Sequence, residues 1–141
     1  MIRISTELEY GLRAILELAL NYSDKKIIKI KQIAKNQDIP LKYLEQILIQ
    51  LKLLGFVESV RGKDGGYRLA KAPQEITIAE VMRKMGGSLF EISQRISKKD
   101  SVFLEIWEKV GREVNEILEK IDFEQIARKV RKLQTIPIYQ I

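Results

Sequence analysis

The sequence predicts a mainly α-helical chain with one small β-hairpin. Two observations carry this. Apolar residues recur at helical spacing in several separate stretches. Two short runs of strand composition, "FVESV" and "YRLA", enclose the tip Lys63-Asp64-Gly65-Gly66. That tip has what a tight turn needs, since glycine reaches positive φ without a Cβ clash.

The elements follow in order. Ser5 or Thr6 can cap a first helix running to about Tyr22, with Leu8, Leu12, Ile15, Leu16 and Ala19 on one face. "NYSDKK" breaks it, and Ile27, Ile28 and Ile30 form a short strand-like run. Lys31–Gln37 reads as two turns of helix ending at "DIP". Pro40 suits the first turn of the next helix, Pro40–Leu54, whose Leu41, Leu44, Ile47, Leu48, Leu51 and Leu54 share a side. Gly55 is its stop. After the hairpin, Thr77 caps a short helix, Ile78–Met85, closed by Gly86-Gly87. Residues 88–100 read as irregular. A long helix starts at Ser101, with Phe103, Ile106, Trp107, Val110, Val114, Ile117, Leu118 and Ile121 in one stripe. Twenty residues make about 30 Å of helix. Asp122 can cap a last helix, and the apolar tail "TIPIYQI" is expected to dock on something.

Two helices joined by a very short turn make a helix-turn-helix candidate, and a two-stranded hairpin after them makes the order of a winged helix-turn-helix. The organisation expected is a winged helix-turn-helix DNA-binding domain over 1–72, a connector with a short helix over 73–100, and a dimerisation helix with a C-terminal segment over 101–141. A stripe as long as that of the last part needs a partner, and an equivalent helix in a second chain is the economical one.

Composition narrows the function. The 141 residues contain no cysteine and no histidine. That excludes disulfides, thiolate metal sites, cysteine-ligated iron–sulfur clusters and histidine-based catalysis. No apolar run is long enough to span a membrane, and "MIRISTELEYGLRAI" lacks a signal peptide's apolar core, so a soluble cytoplasmic protein without cofactor, metal site or catalytic residues is expected. The net charge of +6 is uneven: residues 1–71 hold 13 Lys and Arg against 8 Asp and Glu, the remainder 12 against 11. A basic half suggests a polyanion partner, and the winged helix-turn-helix order makes double-stranded DNA the expected one.

The stretches "YGLRAILELA" (Tyr10–Ala19), "IAKNQDIPLKYLEQILIQLKLLGFVESVRGKDGGYRLAK" (Ile33–Lys71) and "EITIAEVMRKMGG" (Glu75–Gly87) resemble the Rrf2 family of winged-helix transcription regulators. The long helix with Trp107 and "DFEQIA" resemble that family's dimerisation helix and C-terminal segment. The resemblance covers about residues 2–130. It implies a homodimer on pseudo-palindromic operators, with the helix after the short turn in the major groove and a wing arginine in the minor groove. Those roles fall on Lys42, Tyr43, Glu45 and Gln46, and on Arg61. Many members place three cysteines between the short helix and the long one to hold an iron–sulfur cluster. This chain has "SLFEISQRISKKDS" there and resembles the cluster-free branch that includes the cysteine-metabolism repressor. It also has Glu7 and Glu9 where the family often has basic residues.

The chemistry of these positions fits a reading head. Cationic side chains bind duplex DNA by releasing counterions, whereas base edges supply sequence information. Gln46 can pair with adenine, Lys42 can reach guanine, and Glu45 can accept from cytosine as a discriminator. Glu45 can equally be a solvated residue or a partner for Lys42 or Lys52. Ile49 and Leu53 lie on the same side, where they can touch a thymine methyl or pack against another element. Lys31, with Lys29 and Lys35, can reach phosphates. Arg61 suits a narrow minor groove. Gly62, Lys63, Gly65 and Gly66 let the wing turn and approach closely, and Tyr67 is expected to pack beneath it. A winged-helix protein-interaction module that does not bind DNA is the rival reading. Any signal would come from a small-molecule or protein effector, with a site expected near residues 86–103.

Overall fold

The computed structural model describes residues 4–86 and 101–135. Among these residues are six α-helices and a two-stranded antiparallel sheet: α1 Thr6–Leu20, α2 Ile30–Gln37, α3 Leu41–Leu53, β1 Val57–Val60, β2 Gly66–Leu69, α4 Ile78–Met85, α5 Ser101–Glu119 and α6 Phe123–Gln134. The expected effector site falls largely on residues 87–100, and the apolar tail on 136–141, both outside the described residues.

Side-chain caps open three helices where the sequence placed them. Ser5 Oγ accepts from the Leu8 amide at 3.1 Å, Thr77 Oγ1 from Glu80 at 3.1 Å and Asp122 Oδ1 from Gln125 at 2.9 Å. Three local expectations shift. Pro40 has extended backbone and caps α3 instead of entering it. Ile30 starts α2, and the extended segment before it shrinks to a single bridge between Ile28 and Tyr67. Leu41 is 38 % exposed, because the first turn of α3 projects beyond the core.

The core gathers Leu8, Ile15 and Leu18 of α1, Ile33 of α2, Leu44, Leu48 and Leu51 of α3, Phe56 and Val57, Leu69 of β2, and Val81 of α4. Phe123 and Ala127 of α6 belong to the same core, so the C-terminal helix folds back on the first. Two links fix it there. The Phe123 amide donates to the Ile76 carbonyl at 3.0 Å, and the Ile78 amide to Ile121. Arg131 Nη2 donates to the carbonyls of Ala19 and Leu20 at 3.4 and 3.1 Å. No basic residue occupies the last turn of α1, so this guanidinium supplies the positive charge a helix C-terminus favours.

One carboxylate lies inside this core. Glu17 of α1 is 5 % exposed and accepts from Asn36 Nδ2 at 2.6 Å and Gln37 Nε2 at 3.0 Å. A buried carboxylate without donors would be costly, so the pairing fixes the end of α2 against α1. Arg13 Nη1 adds a bond to the Gln37 carbonyl at 3.3 Å.

A second polar cluster fastens the end of the hairpin to α4. Lys71 and Lys84 donate to Glu80 at 2.8 and 3.1 Å, and both ammonium groups lie 5.1–5.5 Å from the centre of the Phe56 ring. Burial opposes ionisation of Glu80, yet the two lysine hydrogen bonds and charges outweigh it, and the carboxyl sits below the ordinary glutamate range. A lowered native pKa contributes stability in full above the usual value near 4.5 and loses it as pH falls through the native value. Glu80→Gln is therefore expected to cost about 1 kcal/mol at neutral pH. The difference from wild type should shrink in acid. Urea titrations at neutral pH and about pH 3 check this; an equal difference at both would contradict it.

Candidate nucleic-acid interface

The interface candidate is built from α2, the turn Asp38–Pro40, α3 and the hairpin. α2 ends at Asp38, whose left-handed φ of 52° turns the chain, and the Ile39 amide closes back on Ala34 at 3.0 Å. Ile39 is buried, which pins the turn to the core. α3 then shows two faces. Leu44, Ile47, Leu48 and Leu51 are buried, while Lys42, Tyr43, Glu45, Gln46, Ile49 and Leu53 are exposed.

The wing follows α3 without a linker. The Phe56 amide donates to Leu51 at 2.9 Å and the Gly55 amide to Lys52 at 3.1 Å, with Gly55 at φ 86°. These two bonds form the Schellman closure of a helix. Lys52 Nζ donates to Ser59 Oγ at 2.7 Å, a second tie between α3 and β1.

In the hairpin Glu58 faces Arg68, and the pair bonds at 3.1 Å, so Arg68 is neutralised. Arg61 and Lys63 are exposed and have no such partner among the described residues. Gly62 takes φ 114°. Gly65 and Gly66 serve close approach: a Cβ on the first would strike the Val60 carbonyl, and on the second the Ile28 carbonyl. These glycines thus shape the wing and seat β2 beside Ile28. Tyr67 is half-buried against the core, as expected.

Near the start of α3 the Tyr43 ring lies 6.5 Å from that of Tyr10, with the Lys42 ammonium 6.0 Å from the Tyr43 ring centre. An open cleft of about 530 Å³ runs between α1 and α3, lined by Thr6, Glu7, Tyr10, Tyr43, Gln46, Ile47 and Gln50. Glu45 makes no ion pair among the described residues, and Lys52 is committed to Ser59. Lys31 is exposed on the first turn of α2. The structure thus brings Lys42, Tyr43, Glu45 and Gln46 onto one open helix face and Arg61, Lys63 and the glycines onto the hairpin. Sequence reasoning missed Glu17, Asn36 and Gln37, which orient α2. The only local signal was a carboxylate among the apolar positions of α1.

The stripe of α5 stands largely open in the single chain. Phe103, Ile106, Trp107 and Ile117 are exposed, and Val110, Val114 and Leu118 are half-buried, Leu118 against the chain's own core. Ile121, expected in the same stripe, lies past the end of α5, where the chain turns and its carbonyl accepts from the Ile78 amide.

A family model described as Rrf2, iron-dependent transcriptional regulator, matches residues 4–129. The HTH-type transcriptional regulator IscR of Cereibacter sphaeroides is 40 % identical over 81 residues, 57 % of this chain and 52 % of that protein, so the chain spans about half the length of that relative. The HTH-type transcriptional regulator CymR of Bacillus subtilis is 30 % identical over 125 residues, 89 % of each chain. The solved structure of CymR, the global cysteine regulator of B. subtilis, superposes with a TM-score of 0.82 at 30 % identity, covering 92 % of this chain and 98 % of that one.

Iron-dependent regulation through a bound metal or cluster needs donor side chains. The whole chain offers no thiolate and no imidazole. Among the described residues no group of three or more acidic side chains comes together to hold a metal. The residues present do not fit an iron–sulfur cluster, whose ligands are cysteine sulfur, with histidine in some.

Two substitutions test the interface. Arg61→Ala is expected to weaken specific duplex binding and relax A·T preference at the position its side chain enters, with the melting temperature unchanged. Titration at two salt concentrations reads both effects, and unchanged affinity and preference would contradict the wing's role. Gln46→Ala is expected to cost about 1–3 kcal/mol on the cognate site and little on random duplex. Equal losses on both would mean Gln46 reads no base.

Proposed function

The chain belongs to the Rrf2 family of transcriptional regulators, and from that premise we propose that it acts as a homodimeric, cluster-free repressor on pseudo-palindromic DNA operators. The observation that carries the DNA reading is the pairing of an exposed α3 face carrying Lys42, Glu45 and Gln46 with a hairpin whose Arg61 and Lys63 charges are not neutralised among the described residues. Gln46, Lys42 and Glu45 would read bases in the major groove, Arg61 the minor groove, and Tyr43, Lys31 and the wing backbone at Gly62, Gly65 and Gly66 would approach phosphates. The missing thiolates support regulation without a cluster, by a small-molecule or protein effector. Repression needs only that a bound dimer covers its operator. Among the described residues no helix is long and apolar enough to cross a membrane. The proposed DNA-binding role would be exercised in the cytoplasm, where the chromosome lies, as a regulator and not as an enzyme.

The dimer is supported by α5. Phe103, Ile106 and Ile117 are 58, 46 and 60 % exposed, and such a stripe left in water would be a large apolar patch. Pairing two such helices would bury the stripe from Phe103 to Ile117, Ile106, Trp107, Val110 and Val114 included, with Leu118 and Ile121 at its inner edge. It would also set two reading heads about one DNA turn apart, roughly 34 Å. Selection from a random duplex pool tests the whole proposal. It should return a pseudo-palindrome whose affinity falls steeply with salt, by a slope of about −0.9 per phosphate neutralised. No enrichment, with salt-insensitive capture of a protein instead, would favour the interaction-module reading.

Val110→Glu would place a carboxylate in that seam without a partner. The expected outcome is a monomer by light scattering and loss of tight operator binding. A variant dimer that still binds its operator would contradict the assignment of α5.

A further inference from the structure

The open face of α3 is not wholly polar. With about 100° per residue, and Glu45 as the reference, Lys42 lies near 60°, Gln46 near 100°, Ile49 near 40° and Leu53 near 80°. All five share a stripe about 100° wide, opposite the buried leucines. Ile49 is 58 % exposed and Leu53 82 % exposed, although packing against another element was one of the two roles open to them. No described element covers them.

We propose that Ile49 is a base-reading residue whose side chain packs on the C5 methyl of a thymine. The assignment rests on the DNA-reading role of α3 proposed above and adds a specificity determinant to it. Position is the first argument. Ile49 stands one turn above Glu45, at an angle between Glu45 and Gln46, so it faces what they face. Its rise from Gln46 is about 4.5 Å, between one and two base steps of about 3.4 Å. Chemistry is the second. The major-groove floor presents polar edges everywhere except at the thymine methyl. A β-branched side chain is stiff at χ1 and has no polar atom, so it offers a fixed apolar surface for that methyl. Opposite a cytosine or guanine the same side chain would strip water from a polar edge and give nothing back, which discriminates against those bases. Leu53 lies a further turn on, at the end of α3 where Lys52 is bonded to Ser59. It provides an apolar control on the same stripe.

The test uses the full-length protein and its selected operator. Each thymine is replaced in turn by uracil, which removes only the methyl, and affinities are measured for wild type, Ile49→Ala and Leu53→Ala. Both side chains are exposed, so the variants should melt as wild type does. At one thymine per half-site the uracil duplex should bind wild type about 3–5-fold more weakly. Ile49→Ala should bind the thymine duplex more weakly by a similar factor and show little further loss on uracil at that position, a non-additive cycle. Leu53→Ala should retain the wild-type uracil response. Duplex binding with purely additive losses for Ile49→Ala, or a Leu53→Ala variant that also loses the response, would overturn the assignment while leaving DNA binding intact. Failure to bind any duplex would overturn the DNA reading and the assignment together.

Discussion

The burial of one side of α3 is the constraint from which the proposed reading head follows. Leu44, Ile47, Leu48 and Leu51 enter the core, and that fixes the azimuth of the helix. The residues left outside, Lys42, Glu45, Gln46 and Ile49, then have no freedom to turn inward. Each buried leucine or isoleucine stabilises by about 1.5–3 kcal/mol, far more than any surface pair could gain by rotating the helix. Glu17 adds what hydrophobic burial cannot, a directional tie. Its two amide donors come from the end of α2, so the short turn into α3 starts from a fixed point. Loss of the carboxylate would free exposed Asn36 and half-buried Gln37 to turn to water, and the tie between α2 and α1 would be lost.

The wing inherits its place from the same helix. The Schellman closure at Gly55 and the Lys52–Ser59 bond start the hairpin in a set direction. The bridge from Ile28 to Tyr67 holds it from one side, and the Lys71–Glu80–Lys84 cluster holds its end to α4. A head assembled in this way has little ordering left to do on contact with a ligand, and preorganisation of that kind favours affinity. α6 closes the arrangement at the back of α1 through Phe123, Ala127 and Arg131.

Much of this was legible in the sequence because it is local. The period of α3, the glycine tip, and the caps Ser5, Thr77 and Asp122 are patterns within a few residues of one another. The one-residue shift at Pro40 is of the size that cap geometry decides. Other features depend on contacts distant in sequence and left no local mark. Arg131 reaches carbonyls more than a hundred residues away, and Glu17 finds its amides about twenty residues on. Ile49 and Leu53 show the opposite limit. Their apolar character was plain, but only the three-dimensional arrangement reveals that nothing described covers them.

The central claim is that the outer face of α3 and the wing together form the surface that meets DNA. Backbone amide shift mapping by NMR, with the selected duplex added at moderate salt, tests it most directly. The account predicts the largest changes on α3, from Leu41 to about Ile49, and on the wing from Arg61 to Gly66, with smaller ones at the start of α2. Changes confined to α5 and α6, or none on α3 and the wing at saturating duplex, would contradict it.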